Sequence, residues 1–236
     1  MAVSNRGVVA AKAALHALAL APMALLAWRI RLVWTEADID ALGPDPVAAI
    51  EHALGLWALR LLLLTLAVSP LRQLTGRPVL LQFRRMLGLY AFAYASLHFA
   101  AYLVLDLRGW WTLVFEEIVK RPYITVGFAA WLLLVPLAIT STRGWMRRLG
   151  RRWGQLHRLV YAIGVLAVLH FWWIVKSDYR EPLLYAAILA VLLGWRAWKR
   201  VRRPVPGASP PRAAPRPAVG KDGASALSEQ EQRGQQ

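Results

Sequence analysis

Residues 152–176 read RWGQLHRLVYAIGVLAVLHFWWIVK. The stretch is almost wholly apolar, yet it carries His157 and His170. An ionisable side chain in a bilayer segment is costly and marks a candidate functional site. The fold class and the chemistry both turn on how this stretch is read.

Composition settles its surroundings. Of 236 residues, 58% are hydrophobic, against roughly 45–50% in soluble domains. Long apolar runs recur along the chain, so it reads as an all-α, polytopic membrane protein. The formal charge of +16 suggests nucleic acid only until its distribution is examined. The basic residues fall between and after the apolar runs, which is a topology signal. Nucleic-acid binding is therefore set aside. With no cysteine, disulfides, thiolate-ligated haem, cysteine-held iron–sulfur clusters and covalent c-type haem are excluded. A bound metal must use His, carboxylate or Met.

Six runs come near the ~20 residues needed to cross the hydrocarbon core. They predict a six-helix bundle with spans at 8–28, 49–69, 86–105, 123–140, 157–175 and 182–199. The second is expected to end at Ser69-Pro70; Pro122 and Pro182 are expected to open the fourth and sixth, where a missing N–H costs nothing. Residues 1–28 read as a retained first helix. Residues 1–203 form the expected membrane domain. The tail 204–236, rich in Pro, Gly, Ser, Ala and Gln, is expected to be disordered. The sequence shows no internal repeat and no phosphate-binding glycine motif.

The 2–3 connection carries Arg72, Arg77, Arg84 and Arg85 without an acid, and the 4–5 connection carries Arg143, Arg147, Arg148, Arg151 and Arg152. Acids concentrate in the other three connections. The positive-inside rule puts both termini in the cytoplasm. Trp110, Trp111, Trp172 and Trp173 then mark the outer ends of helices; Trp145, Trp153, Trp195 and Trp198 mark inner ones.

The ionisable residues within the spans are His16, His98, His157, His170 and Arg60, with His52 near an outer end. The apolar cores of the helices hold no Asp or Glu, which argues against a proton-coupled or cation-coupled transporter. His98 lies 13 residues beyond Arg85, and His170 lies 13 beyond His157. Both helices run outward, so both imidazoles sit roughly 20 Å above the inner surface. Two histidines at one depth on two helices can hold one metal between them. Haem iron accepts two axial imidazoles in line, and the small residues Gly88, Ala91, Ala93, Ala95, Ser96, Ala162, Gly164 and Ala167 leave room for a porphyrin. Zinc is the weaker alternative, because two histidines make a poor zinc site.

His157 does not share a face with His170. It is a candidate ligand of a second haem, with His16, about 12 Å in from the same surface, as one candidate partner. Arg84, Arg85 and Arg158 are either contacts for haem propionates or a cofactor phosphate, or plain positive-inside residues. Arg60, near mid-membrane, needs a partner such as a propionate, a quinone oxygen or backbone carbonyls.

The stretches GPDPVAAIEHALG at 43–55, RRMLGLYAFAYASLH at 84–98, RPYITVGF at 121–128, TSTRGWMRRLGRRWGQLHRLVY at 140–161 and LAVLHFWW at 166–173 resemble the MsrQ (YedZ) family, part of the larger group of ferric-reductase-like membrane domains. The resemblance spans residues 10–200. It implies a bacterial inner-membrane electron-transfer subunit with b-type haem, one or two per chain, on His98, His157 and His170. It implies quinol as donor and a periplasmic molybdenum-containing methionine-sulfoxide reductase, MsrP, as heterodimer partner. It also implies a role in repairing oxidised envelope proteins, with the catalytic chemistry in that partner. FMN is associated with the family, and no motif here places it. Related NADPH oxidases carry two histidines on each of two helices; this chain has no inner histidine on the third span. The alternatives are a cytoplasmic flavin reductase as donor, or a transporter or anchor with no redox role.

Overall fold

The computed structural model describes residues 5–108 and 111–202. The expected disordered tail and the belt position of Trp110 lie outside the described residues, as does the side chain of Trp111. The described residues up to Arg200 form one compact unit. It is a helical bundle with six helices long and apolar enough to cross a membrane, and no strand occurs among the described residues.

The helices are α1 (Asn5–Trp34), α2 (Pro46–Thr75), α3 (Leu81–Ala101), α4 (Trp111–Lys120), α5 (Pro122–Ile139), α6 (Arg143–Leu149), α7 (Arg151–Leu156), α8 (Leu159–Ile174) and α9 (Arg180–Val201). Local chemistry sets their ends. The Asp45 carboxylate accepts from the Ala48 N–H at 3.0 Å, Pro46 supplies the first turn of α2, and Gly76 closes it at φ +66°. This is the usual asymmetry of acid and proline at the start and glycine past the end. Pro122 opens α5 as expected, and Pro182 falls in the first turn of α9.

Besides the earlier start of α3 at Leu81, the boundaries differ from the sequence reading in three places. First, α1 runs on to Trp34. Second, α2 does not end at Ser69-Pro70 but continues to Thr75. Pro70 deprives the Leu66 carbonyl of its helical donor; Arg196 of α9 replaces it, with Nη2 2.6 Å away. A membrane helix tolerates proline when a neighbour satisfies the freed group. Third, the fifth span is broken. A turn at His157 and Arg158 separates α7 from α8, so His157 caps a short helix rather than opening a long one. The short α4 and α6 fill connections read as loops.

The packed centre is α2. Leu59, Leu61, Leu62, Leu63 and Leu66 are buried there against Ile163 of α8 and Tyr94 of α3. Tyr94 also fastens α1. Its hydroxyl donates to the Ala19 carbonyl at 2.7 Å and accepts from the Met23 N–H at 3.1 Å. The phenol thus enters the α1 ladder one residue from Pro22. Gly88 lies under Thr65, and Gly164 under Leu66 and Leu189. These two glycines therefore serve close helix packing, not porphyrin space as the sequence reading expected.

Connections alternate, so the bundle has a basic end (2–3 and 4–5 connections, without an acid) and an end that carries the acids, here termed the acidic end (1–2 connection acidic, 3–4 and 5–6 connections mixed).

Candidate functional site

Two hairpins, α2 with α3 and α5 with α8, flank one cavity of about 560 Å³. That lies within the ~300–1,000 Å³ of typical cofactor pockets. His98 of α3 and His170 of α8 both line it. Their ring centroids are 6.1 Å apart and their planes are 75° apart. The structure brings these two residues, read from sequence as a pair, side by side.

Each ring is held in the same way. His98 Nδ1 lies 2.9 Å from the Glu51 carbonyl, and His170 Nδ1 lies 2.7 Å from the Tyr123 carbonyl. A carbonyl only accepts, so Nδ1 carries the proton in both rings and Nε2 keeps a lone pair. One turn beyond each carbonyl stands a glycine. A Cβ on Gly55 would meet His98 Nδ1 and Cε1 at 3.2 Å; one on Gly127 would meet the same atoms of His170 at 2.6 Å. In both hairpins, 47 residues separate carbonyl from histidine. The sequence reading found no repeat, yet the two hairpins use one device twice: carbonyl, glycine, histidine.

These observations test whether haem fits. A metal bound in line by two imidazole nitrogens at ~2 Å each places the ring centroids about 6 Å apart. The observed 6.1 Å agrees. Fixing the tautomer through Nδ1–H to a carbonyl is how proteins orient metal-binding histidines. The walls suit a porphyrin: Ala91, Ala95, Ala130 and Ala167 leave space, and the Phe99, Phe128 and Trp131 rings form one side. Of the small residues expected to make room, Ala91, Ala95 and Ala167 do so. Ser96 instead accepts a hydrogen bond from Trp131 Nε1 at 3.0 Å. Among the described residues no group of three or more His, Cys, Asp or Glu gathers to hold a bare ion; two histidines alone suit haem iron and make a poor zinc site.

The remaining candidates lie elsewhere. Arg60 does not line the cavity. Its Nε donates to the Tyr185 hydroxyl at 2.8 Å, and its guanidinium lies over Trp57 at 5.0 Å. That gives a mid-membrane cation its partner without a propionate. His16 Nδ1 lies 2.7 Å from the Tyr90 hydroxyl. His157 stacks on Trp153 at 4.0 Å, with Nδ1 3.1 Å from the Trp153 carbonyl. His16 and His157 thus take separate partners. Arg84 faces His157 and Arg196 near the basic end, and Arg85 is exposed. None of the expected arginine contacts reaches the His98–His170 cavity.

Sequence reasoning passed over Gly55 and Gly127, the Tyr185 hydroxyl and Arg196. Arg196 had a readable signal, as the one charge of α9 between Glu181 and Lys199.

Comparison with known proteins follows the same outline. The family described as "Ferric reductase like transmembrane component" matches residues 54–168. A protein of Xanthomonas oryzae pv. oryzae (strain MAFF 311018) is 68% identical over 219 residues, covering 92% of this chain and 100% of its own. One from Xanthomonas campestris pv. campestris (strain 8004) is 69% identical over the same coverage. One from Bordetella pertussis is 50% identical over 182 residues, 73% of this chain and 85% of its own. Each bears the name "Protein-methionine-sulfoxide reductase heme-binding subunit MsrQ". No solved structure matches.

Proposed function

This chain belongs to the MsrQ family of haem-binding subunits of protein-methionine-sulfoxide reductase, and from that premise we propose that it conducts electrons across a bacterial inner membrane. The donor is a quinol, and the recipient is a periplasmic molybdenum-containing MsrP-like reductase that repairs oxidised proteins. One observation carries the proposal. The two cavity histidines stand 6.1 Å apart with Nδ1 committed to backbone carbonyls, which leaves two Nε2 lone pairs for one iron.

Bound there, b-type haem supplies a one-electron ferric–ferrous couple. The chain's residues do the rest. His98 and His170 would hold the haem iron through their two free Nε2 atoms, and a group held so would supply electron transfer and not substrate chemistry. The Glu51 and Tyr123 carbonyls keep both rings in one tautomer. The aromatic wall excludes water from one face. No methionine-sulfoxide chemistry falls to this chain, which acts as the wire.

Direction follows from charge and depth. The basic end is cytoplasmic by the positive-inside rule, with both termini there. His170 lies four residues from the end of α8 at Ile174, ~6 Å of rise, on the acidic, periplasmic side. An electron at this pair is close to the outer surface, where a soluble acceptor docks. A lipid-soluble donor fits the all-helical described chain, which offers no sheet for nicotinamide. FMN finds no support in this cavity, since no Lys or Arg lines it to meet a phosphate. His157, beside Arg84 near the basic end, keeps its place as the candidate quinol contact.

Proteoliposomes test the wiring. A quinol analogue is expected to reduce the haem, and adding the partner reductase with methionine sulfoxide is expected to reoxidise it. Reduction by NAD(P)H with a flavin reductase, but not by quinol, contradicts the donor. Haem that stays reduced when the partner and sulfoxide are added contradicts the recipient.

A further inference from the structure

The cavity is sharply divided in polarity. Its floor is buried hydrocarbon: Leu59, Leu62, Ala91, Ala130, Leu134 and Ile163. Its polar lining lies toward the acidic end, where His52 and Asp106 are exposed and Tyr102 and Tyr123 stand beside them. Haem b is equally two-sided, with two propionates on one edge of an apolar ring. Carboxylates placed against the leucine floor would lose their hydration with no partner to replace it. The two-sided group can therefore enter in one sense only.

Two polar atoms at the mouth are buried without a hydrogen-bond partner, Glu51 Oε1 and the Tyr102 hydroxyl, although buried polar groups are normally satisfied. Tyr102 opens a π turn, Tyr102–Asp106, closed by the Leu107 N–H to the Tyr102 carbonyl at 3.0 Å. Such turns interrupt helices frequently at functional sites. Beside it, Arg121 Nη1 donates to the Tyr123 hydroxyl at 3.0 Å while its Nε pairs with Glu117 at 2.6 Å. Arg121 is the nearby cation, held at one remove from the cavity.

We infer that the propionate edge of the haem faces the acidic end and that the Tyr102 hydroxyl donates a hydrogen bond to one propionate. This rests on haem occupying the His98–His170 cavity. It makes Tyr102 a positioning residue and replaces the arginines read from sequence as propionate contacts. It also turns the polar edge of the macrocycle toward the surface where the electron leaves. A carboxyl such as Glu51 or Asp106 at the same mouth donates only when protonated, whereas a phenol carries its proton in its ordinary state, so Tyr102 is the donor assigned.

The test is Tyr102→Phe in the full-length haem-loaded protein, read by resonance Raman and potentiometry, with Tyr90→Phe as control. Tyr90 bonds His16 and does not line the cavity. Tyr102→Phe is expected to keep both axial ligands, shift one propionate bending band and lower the midpoint potential, because a propionate that loses its donor favours ferric iron. Tyr90→Phe is expected to change neither. Loss of haem from a Tyr102→Phe protein that remains monodisperse and helical supports the same contact. An unchanged band and potential overturn it. So does aggregation, since removing a hydroxyl without a structural partner costs no stability. A colourless wild type instead sinks the haem reading on which this inference rests.

Discussion

His170→Ala and His98→Ala are each expected to abolish most of the haem absorbance of the purified protein, by about tenfold or more in haem per chain. Each nitrogen is one of two, and the other histidine of the cavity, His52, stands at its exposed mouth. His98 and His170 are the two histidines deepest in that cavity. His52 lines its mouth, exposed beside Phe171 and Glu181, and His16 lies outside it. Removing either of those is expected to leave the spectrum essentially intact. The measurement is the dithionite-reduced minus oxidised spectrum, normalised to protein. Equal loss from all four variants contradicts the assignment, since it reports general destabilisation instead of ligation.

Gly127→Ala comes next in size, and it touches no ligand atom by name. A methyl there would sit 2.6 Å from His170 Nδ1 and Cε1, closer than carbon atoms ever pack. The imidazole must swing away, and its 2.7 Å bond to the Tyr123 carbonyl goes with it. Overpacking of this kind costs ~1–3 kcal/mol, so haem affinity is expected to fall by about 10- to 100-fold. Gly55→Ala meets His98 at 3.2 Å, where a few tenths of an ångström suffice. It is expected to retain haem while altering its low-spin spectrum. Titrating haem into the two purified variants orders them. Full haem binding by Gly127→Ala means that His170 ligates in some other orientation than the one described.

Six spans and the level histidine pair were legible because both are one-dimensional. A run near 20 apolar residues measures a bilayer, and 13 residues from a basic landmark measures depth. The rotation of a helix about its axis is not written that way. Which small residues face the cavity, Ala91 but not Gly88, depends on how α3 rolls against α2. Partners far along the chain were equally hidden. Arg60 looked unpaired because Tyr185 lies 125 positions on. Pro70 looked like a helix end because the donor that rescues the Leu66 carbonyl, Arg196, lies 130 positions on. The carbonyl–glycine–histidine device left one trace in sequence, an equal offset in both hairpins, and glycine in an apolar run reads first as packing. The break at His157 carries no proline, so nothing marked it.

The account depends on one iron held in line by two imidazoles whose planes stand nearly at right angles. Low-temperature EPR of the oxidised, full-length protein reads that arrangement directly. A strongly anisotropic low-spin ferric signal is expected, the signature of crossed axial imidazole planes, and it should vanish in His98→Ala and in His170→Ala. A high-spin ferric signal, or no ferric haem signal from folded protein, contradicts the account.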